Sequence, residues 1–401
     1  MGDDAAMTTE IPMHVRNALL TTSLLLGSAC GGASSDALQA ATPSYTALAL
    51  DQETTDTKGS ALTSSTGTEA AAMVAGPTGE ACHPHLFVRQ REVVERVNRH
   101  LFKALHHVEE VIASKPLTTT DSTRVWERVV NGVDRKFTIT LVSPDVYSWE
   151  LDAGPAGTTP LPVVLTGQID RSAATGPHQG KGTLHIDFAN LFAAYPAEKV
   201  KEGTLDVAFD LTAASRQLTV TASGIAWDLD PTMFDSASVL AALSAPRSGA
   251  YVYDREPGKG GSLKIQDQMV FACPSNPSLV AADAQLVARW YRAADGSVHG
   301  RSDALMQHGQ LPAAGVDRVV AVTCHRAGGD GLEQSEGFWL MKAEDAAGTT
   351  LTGFSSATLD PTASPCDPIF GDVPLLADAT KDFTSWPASY SDGVPFPFPG
   401  M

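Results

Sequence analysis

The sequence predicts an α+β protein, mostly antiparallel β. One long N-terminal amphipathic helix packs on a curved antiparallel sheet, and a smaller C-terminal β block follows. Three observations predict it. Apolar residues recur at three- and four-residue steps over His85 to Ser114. From Thr123 onward the period changes to two, and Asn131-Gly132 and Asp295-Gly296 mark hairpin turns. The strands are joined by links too short for crossover helices, which implies antiparallel pairing.

The helix places Val94, Val97, Leu101, Leu105, Val108 and Ile112 on one stripe and Arg91, Glu95, Arg96, Arg99 and Lys103 off it. Such a stripe needs a partner surface, most simply a sheet, and Pro116 ends the helix. Period-two patterning then gives strands at Thr123–Val130, Lys136–Val142, Tyr147–Asp152, Val163–Arg171, Gly182–Phe188, Thr204–Leu211, Gln217–Trp227, Ala250–Arg255 and Ser262–Phe271. The second block contributes Gln285–Ala293, Ser297–Asp303, Arg318–Cys324, Glu336–Ala343 and Thr350–Phe354. The expected organisation is a signal peptide at 1–29, a flexible tether at 30–81, a helix-plus-β domain at 82–275, a second β block at 276–376 and a Pro- and aromatic-rich tail at 377–401. The tether assignment rests on its Ser, Thr, Ala and Gly content, too poor in apolar surface to offset ordering entropy.

The N-terminal run Asn17 to Ala29 is uncharged and apolar, follows Arg16 and closes on Gly27-Ser28-Ala29 before Cys30. This order of basic, apolar and small residues resembles a bacterial lipoprotein signal. Starting at Met13 gives Met-His-Val-Arg-Asn, a short basic n-region. The resemblance covers about the first thirty-five residues. It implies that Cys30 is lipidated, as with palmitate, and that the protein reaches the bacterial cell envelope, on the periplasmic or surface face of the outer membrane. The membrane is then a partner through the lipid anchor. Another envelope protein or a lipid is the expected further partner. A helix followed by an antiparallel meander is also similar, at the level of fold, to envelope lipid carriers.

The remaining cysteines are Cys82, Cys273, Cys324 and Cys366, an even number suited to two disulfides in an exported chain. The favoured pairs are Cys82–Cys273 and Cys324–Cys366, each bracketing one continuous block. A net charge of −18 over 401 residues argues against nucleic acid, which needs a cationic face.

Tests for chemistry give no catalytic, cofactor-binding or metal residue. Gly176-Pro-His-Gln-Gly-Lys-Gly182 and Gly258-Lys-Gly-Gly261 miss the phosphate-loop spacing and read as turns. Ser297 and His299 share a strand face without an identified acid. His83, His85, His100, His106 and His107 cluster around the helix, with His106 and His107 one turn from Glu110; the zincin order is absent. Asp228, Asp230 and Asp235 flank Pro231 without an EF-hand spacing. Trp126, Trp149, Trp227, Trp290 and Trp339 fall in strands, as core residues would. The expectation is a non-enzymatic envelope lipoprotein with a structural or binding role and no cofactor. The alternatives are a lipid or lipoprotein carrier with an apolar cavity between helix and sheet, and a metal-dependent hydrolase.

Overall fold

The structure, a computed structural model, describes residues 37–50, 86–212, 216–227, 245–256, 259–273, 276–327, 334–351 and 356–357. Two short helices open it, α1 (Ala37–Ala40) and α2 (Tyr45–Leu48). Helix α3 (Leu86–Ile112) follows. The strands are β1 (Thr118–Thr119), β2 (Thr123–Val130), β3 (Val133–Ser143), β4 (Val146–Pro155), β5 (Val163–Asp170), β6 (Lys181–Asp187), β7 (Val200–Asp210) and β8 (Arg216–Trp227), with α4 (Phe188–Ala194) between β6 and β7. Then come β9 (Arg247–Glu256), β10 (Gly260–Cys273), β11 (Asn276–Arg292), β12 (Val298–Gln307), β13 (Arg318–Ala327), β14 (Gln334–Glu344) and β15 (Ser356–Ala357).

All fifteen strands form one antiparallel sheet in which each strand pairs only with its neighbours in sequence. The mostly antiparallel β class follows directly from that. Hairpin chemistry sets the register: Asn131 and Gly132 both take positive φ, 52° and 78°, and Val130 pairs with Val133 across a two-residue loop. The boundary expected at 275/276 left open whether the two β blocks form one domain or two. It falls at the turn of the β10–β11 hairpin, whose ladder runs from Gly260↔Tyr291 to Cys273↔Asn276, so the second block continues the first sheet. A hairpin cannot separate two cores when its two strands share one ladder and one buried face.

Helix α3 lies on the inward face. Val93, Val94, Val97, Leu101, Ala104, Leu105, Val108 and Val111 are buried in one core with the inward residues of the strands. Gln90 meets Ser302 of β12, while Glu110 at the other end meets Arg128 of β2 and Arg135 of β3. Off the stripe, Arg96 lies 3.8 Å from Asp267, and Lys103 pairs with Glu198. These two cations tie the helix to β10 and to the loop between α4 and β7.

The tether assignment needs correcting at its start. Residues 37–50 are built into the body. Leu38, Leu48 and Leu50 are buried, and Tyr45 meets Phe102 edge-on at 5.2 Å. Asn98 of α3 brackets the Leu50 peptide, accepting from its N–H and donating to its C=O. Trp149 donates its indole N–H to the Ala41 carbonyl at 2.8 Å, and His178 N–H donates to Ala40 O. Composition averaged over the segment hides these few anchoring residues. The sequence reading also passed over α4. Asp187 caps it by accepting from Asn190 N–H, and Phe188 and Leu191 enter the core.

Leu101 is fully buried, so Leu101→Ala is expected to cost about 2–5 kcal/mol, read from the urea midpoint. Glu109→Ala, on an exposed position of the same helix, should stay within about 0.5 kcal/mol. A neutral Leu101 variant would overturn the packing of α3. At Gly300 an added Cβ would lie 2.1 Å from the His325 ring. Gly300→Ala should therefore destabilise by about 1–3 kcal/mol. Gly300→Ala combined with His325→Ala should recover part of the loss in the same melt.

Candidate functional site

Three places gather polar groups. The first is the C-terminal end of α3, which holds the histidines singled out in the sequence. His106 Nε2 and His107 Nδ1 each lie 3.6 Å from a Glu110 oxygen. Arg135, almost fully buried, pairs with the same carboxylate. Its guanidinium sits 5.0 Å from the Tyr195 ring, and His107 stacks on that ring at 3.8 Å. Burial holds His107 down to about 4 with help from Arg135, and pushes the Tyr195 phenol up to about 12. A guanidinium facing Glu110 takes the place a cation would need, so the cluster is a packed helix end. His100 lies further back along α3 against Phe188 and Trp227, both at 5.2 Å, and burial lowers it to about 3. No group of three or more His, Cys, Asp or Glu converges on a metal position among the described residues.

The second place is the β11–β12 turn. Ser297 Oγ lies 2.5 Å from Asp295 Oδ1 and 3.0 Å from His299 Nε2. The acid that the sequence reading lacked is therefore Asp295, two residues before the serine. The order is wrong for a nucleophile, because a catalytic histidine must stand between the acid and the hydroxyl. Here the serine stands between them. Asp295 also accepts the Ser297 N–H at 2.9 Å, which makes the contact a side-chain-closed turn.

The third place is a cleft of about 700 Å3 over β9 to β12. Register builds it. Gln266 pairs directly with Gln285 and Asp283 with Gln307, so side-chain amides and a carboxylate from three strands share one opening. Asp267 is buried and accepts the Tyr251 hydroxyl at 2.9 Å. Burial and the neighbouring Asp267 carboxylate raise the Tyr251 phenol well above its usual range, so it remains a donor. His308 Nδ1 lies 3.5 Å from Asp283. Gln285 Oε1 is buried with no hydrogen-bond partner. The lining is thus rich in acceptors and suited to a ligand carrying N–H or O–H donors. Nothing in the sequence marked it, because Gln266, Gln285 and Gln307 are far apart in the chain and form no motif.

The other sequence expectations fall as follows. The loop 176–182 is a turn: Arg171 donates to Gly176 O and Gln179 O, and His178 Nδ1 lies 2.9 Å from Thr42 O. Trp126, Trp149 and Trp290 are buried and Trp227 is packed on the core. The Trp339 side chain lies outside the described residues. So do Cys30, Cys82, Cys366, His83, His85, Asp228, Asp230 and Asp235, and the Cys273 side chain. Cys324 is disulfide-bonded. No helix of the described residues is long and apolar enough to cross a membrane. The chain matches no protein family, no curated protein sequence and no solved structure.

Two of the buried histidines, His100 and His107, give a pH dependence. Both are neutral in the folded state with values lowered below the unfolded 6.5, so between about pH 6.5 and 4 the unfolded chain binds more protons. Stability is full above about pH 7.5 and falls as pH drops, by about 1.4 kcal/mol per pH unit for each histidine. Urea midpoints from pH 7.5 to 4 should show this slope. His100→Leu should reduce it, and an unchanged slope would remove His100 from the account.

Proposed function

We propose that this chain is a membrane-tethered envelope protein with a non-enzymatic binding or structural role, anchored through lipid on Cys30. The observation that carries the non-enzymatic part is the contrast between a sealed interior and an open, acceptor-lined cleft. The α3 stripe is buried from Val93 to Val111, and the cleft over β9–β12 is lined by acceptors of Asp283, Gln285 and Gln307. A lipid carrier would need apolar space beside α3. Leu101, Leu105, Phe137, Ile139 and Ile265 instead fill that space at 0 % exposure. The binding role is therefore favoured over the carrier.

The anchor part rests on the order of residues 13–30 and on the docking of residues 37–50. Only seven residues separate Cys30 from Leu38. A lipid on Cys30 would hold the body within about 28 Å of the bilayer surface, the reach of eight extended residues. The distal part of the presumed tether then serves as a connection between α2 and α3.

Fractionation of cells expressing the wild type and Cys30→Ala tests the anchor. The wild type should sediment with membranes and yield an acylated N-terminal cysteine, and Cys30→Ala should appear in the soluble fraction. Stable anchoring requires more than one acyl chain, since a single chain binds only marginally. A wild type that is soluble without detergent and carries an unmodified residue 30 would overturn the proposal.

A further inference from the structure

The seat of residues 38–50 has the chemistry of a peptide site. Side chains and backbone of the body reach the main chain of the segment. The Trp149 indole N–H donates to Ala41 O at 2.8 Å, the His178 N–H to Ala40 O at 2.8 Å and Arg216 Nη1 to Thr46 O at 3.4 Å. His178 Nδ1 lies 2.9 Å from Thr42 O. The Leu50 N–H donates to Asn98 Oδ1 at 2.6 Å, and Asn98 Nδ2 donates back to the Leu50 carbonyl. Apolar side chains anchor the ends: Leu38, Ala41, Leu48 and Leu50 are 0–6 % exposed. Residues 38–50 carry no charged side chain. Main-chain bonds for affinity, with pockets for a few side chains, are the means by which a protein reads an extended peptide.

We propose that this seat is a peptide-binding site which the chain's own N-terminal segment fills as a tethered ligand, and that it takes the same segment from a second copy of this chain. The segment belongs to no strand of the sheet, whose first strand is β1. Its helices α1 and α2 are four residues each, so its departure breaks no ladder and only single helical turns. Asn98 holds the segment at Leu50, and the description resumes at Leu86, twelve residues before Asn98 on the same helix. That separation is about 18 Å along the helix. Residues 51–85 join the two points, and a chain of that length extends to as much as about 120 Å. The length of the connection therefore lets the segment reach its own seat or that of another copy.

A vacated seat favours refilling. Trp149 is 3 % exposed, so its N–H would lose its acceptor inside the protein, where an unmade hydrogen bond is costly. Phe102 would lose the Tyr45 ring, and the places of Leu38, Leu48 and Leu50 would become wet apolar surface. Every copy carries the one sequence shown to satisfy these groups, which makes a second copy the occupant. Exchange of an identical segment replaces each contact by its equal, and two copies can fill each other's seats. The chain's own segment competes from an effective concentration of roughly millimolar or less, so exchange grows with protein concentration.

Full-length protein carrying Tyr45→p-azidophenylalanine tests this, since Tyr45 meets the Phe102 ring of α3 at 5.2 Å. Equal amounts of isotopically light and heavy protein are mixed, held together, irradiated and digested. Mass spectrometry of the link between the residue-45 peptide and α3 tells whether one copy or two supplied it. Mixed light–heavy links should appear and rise several-fold as total protein is raised. Links within one isotope only, at every concentration, overturn the exchange. The absence of any link to α3 overturns the seat itself. A synthetic peptide of residues 36–52 should lower the mixed links several-fold, and a scrambled peptide of the same composition should leave them unchanged. Mixed links that both peptides lower equally, or that neither lowers, come from collision and overturn the proposal.

Discussion

The fit of α3 into the inward face of the sheet is the contact on which the rest depends. Among the described residues, the meander of fifteen neighbour-paired strands has no long-range strand pairing to close it. What makes its two halves share one core is the helix, which touches β2 and β3 at one end and β12 and β13 at the other. The stripe from Val93 to Val111 removes apolar surface of both halves from water at once. Residues 37–50 and α4 then fill the gaps a single cylinder leaves against a sheet. Trp149 and Asn98 fix the former through bonds to backbone.

The price of so apolar an interior appears where polar groups are caught in it. His100 and His107 are held neutral, and Arg135 has Glu110 on one side and the Tyr195 ring on the other. A buried ion pair contributes less to stability than its Coulomb attraction suggests, because both partners lose water. Its effect here is to fix where the helix ends: Arg128 takes the Glu110 carbonyl and Arg135 its carboxylate. The same economy governs the carboxylate one turn from His106 and His107. That carboxylate is already committed to a guanidinium.

The outer face divides the molecule differently from the inner one. The earlier strands leave it to water, and the later ones bury cations and aliphatic residues on it. The cleft over β9–β12 lies where these regimes meet, with Leu305 belonging both to its wall and to the small outer cluster.

By itself the sequence determined what is local. Period two in Lys136 to Val142 marks β3, and the left-handed preference of Asn131-Gly132 places its turn. The three- and four-residue spacing from Val94 to Val108 names the helix face that is buried. These are properties of a few adjacent residues, and each alternative would expose apolar surface or strain a backbone. The tertiary structure decided what depends on partners far away in the chain. Leu38 and Leu50 belong to a core although their segment is poor in apolar residues, because α3 offers Asn98 and Phe102 to receive it. The strands before residue 275 and those after it share one sheet because the β10–β11 ladder continues through its turn. Gln266, Gln285 and Gln307 meet only through register, which no spacing in the chain encodes. Period two tells which side chains share a face of a strand. It is silent on what covers that face, since covering is a contact between surfaces and not a pattern along the chain.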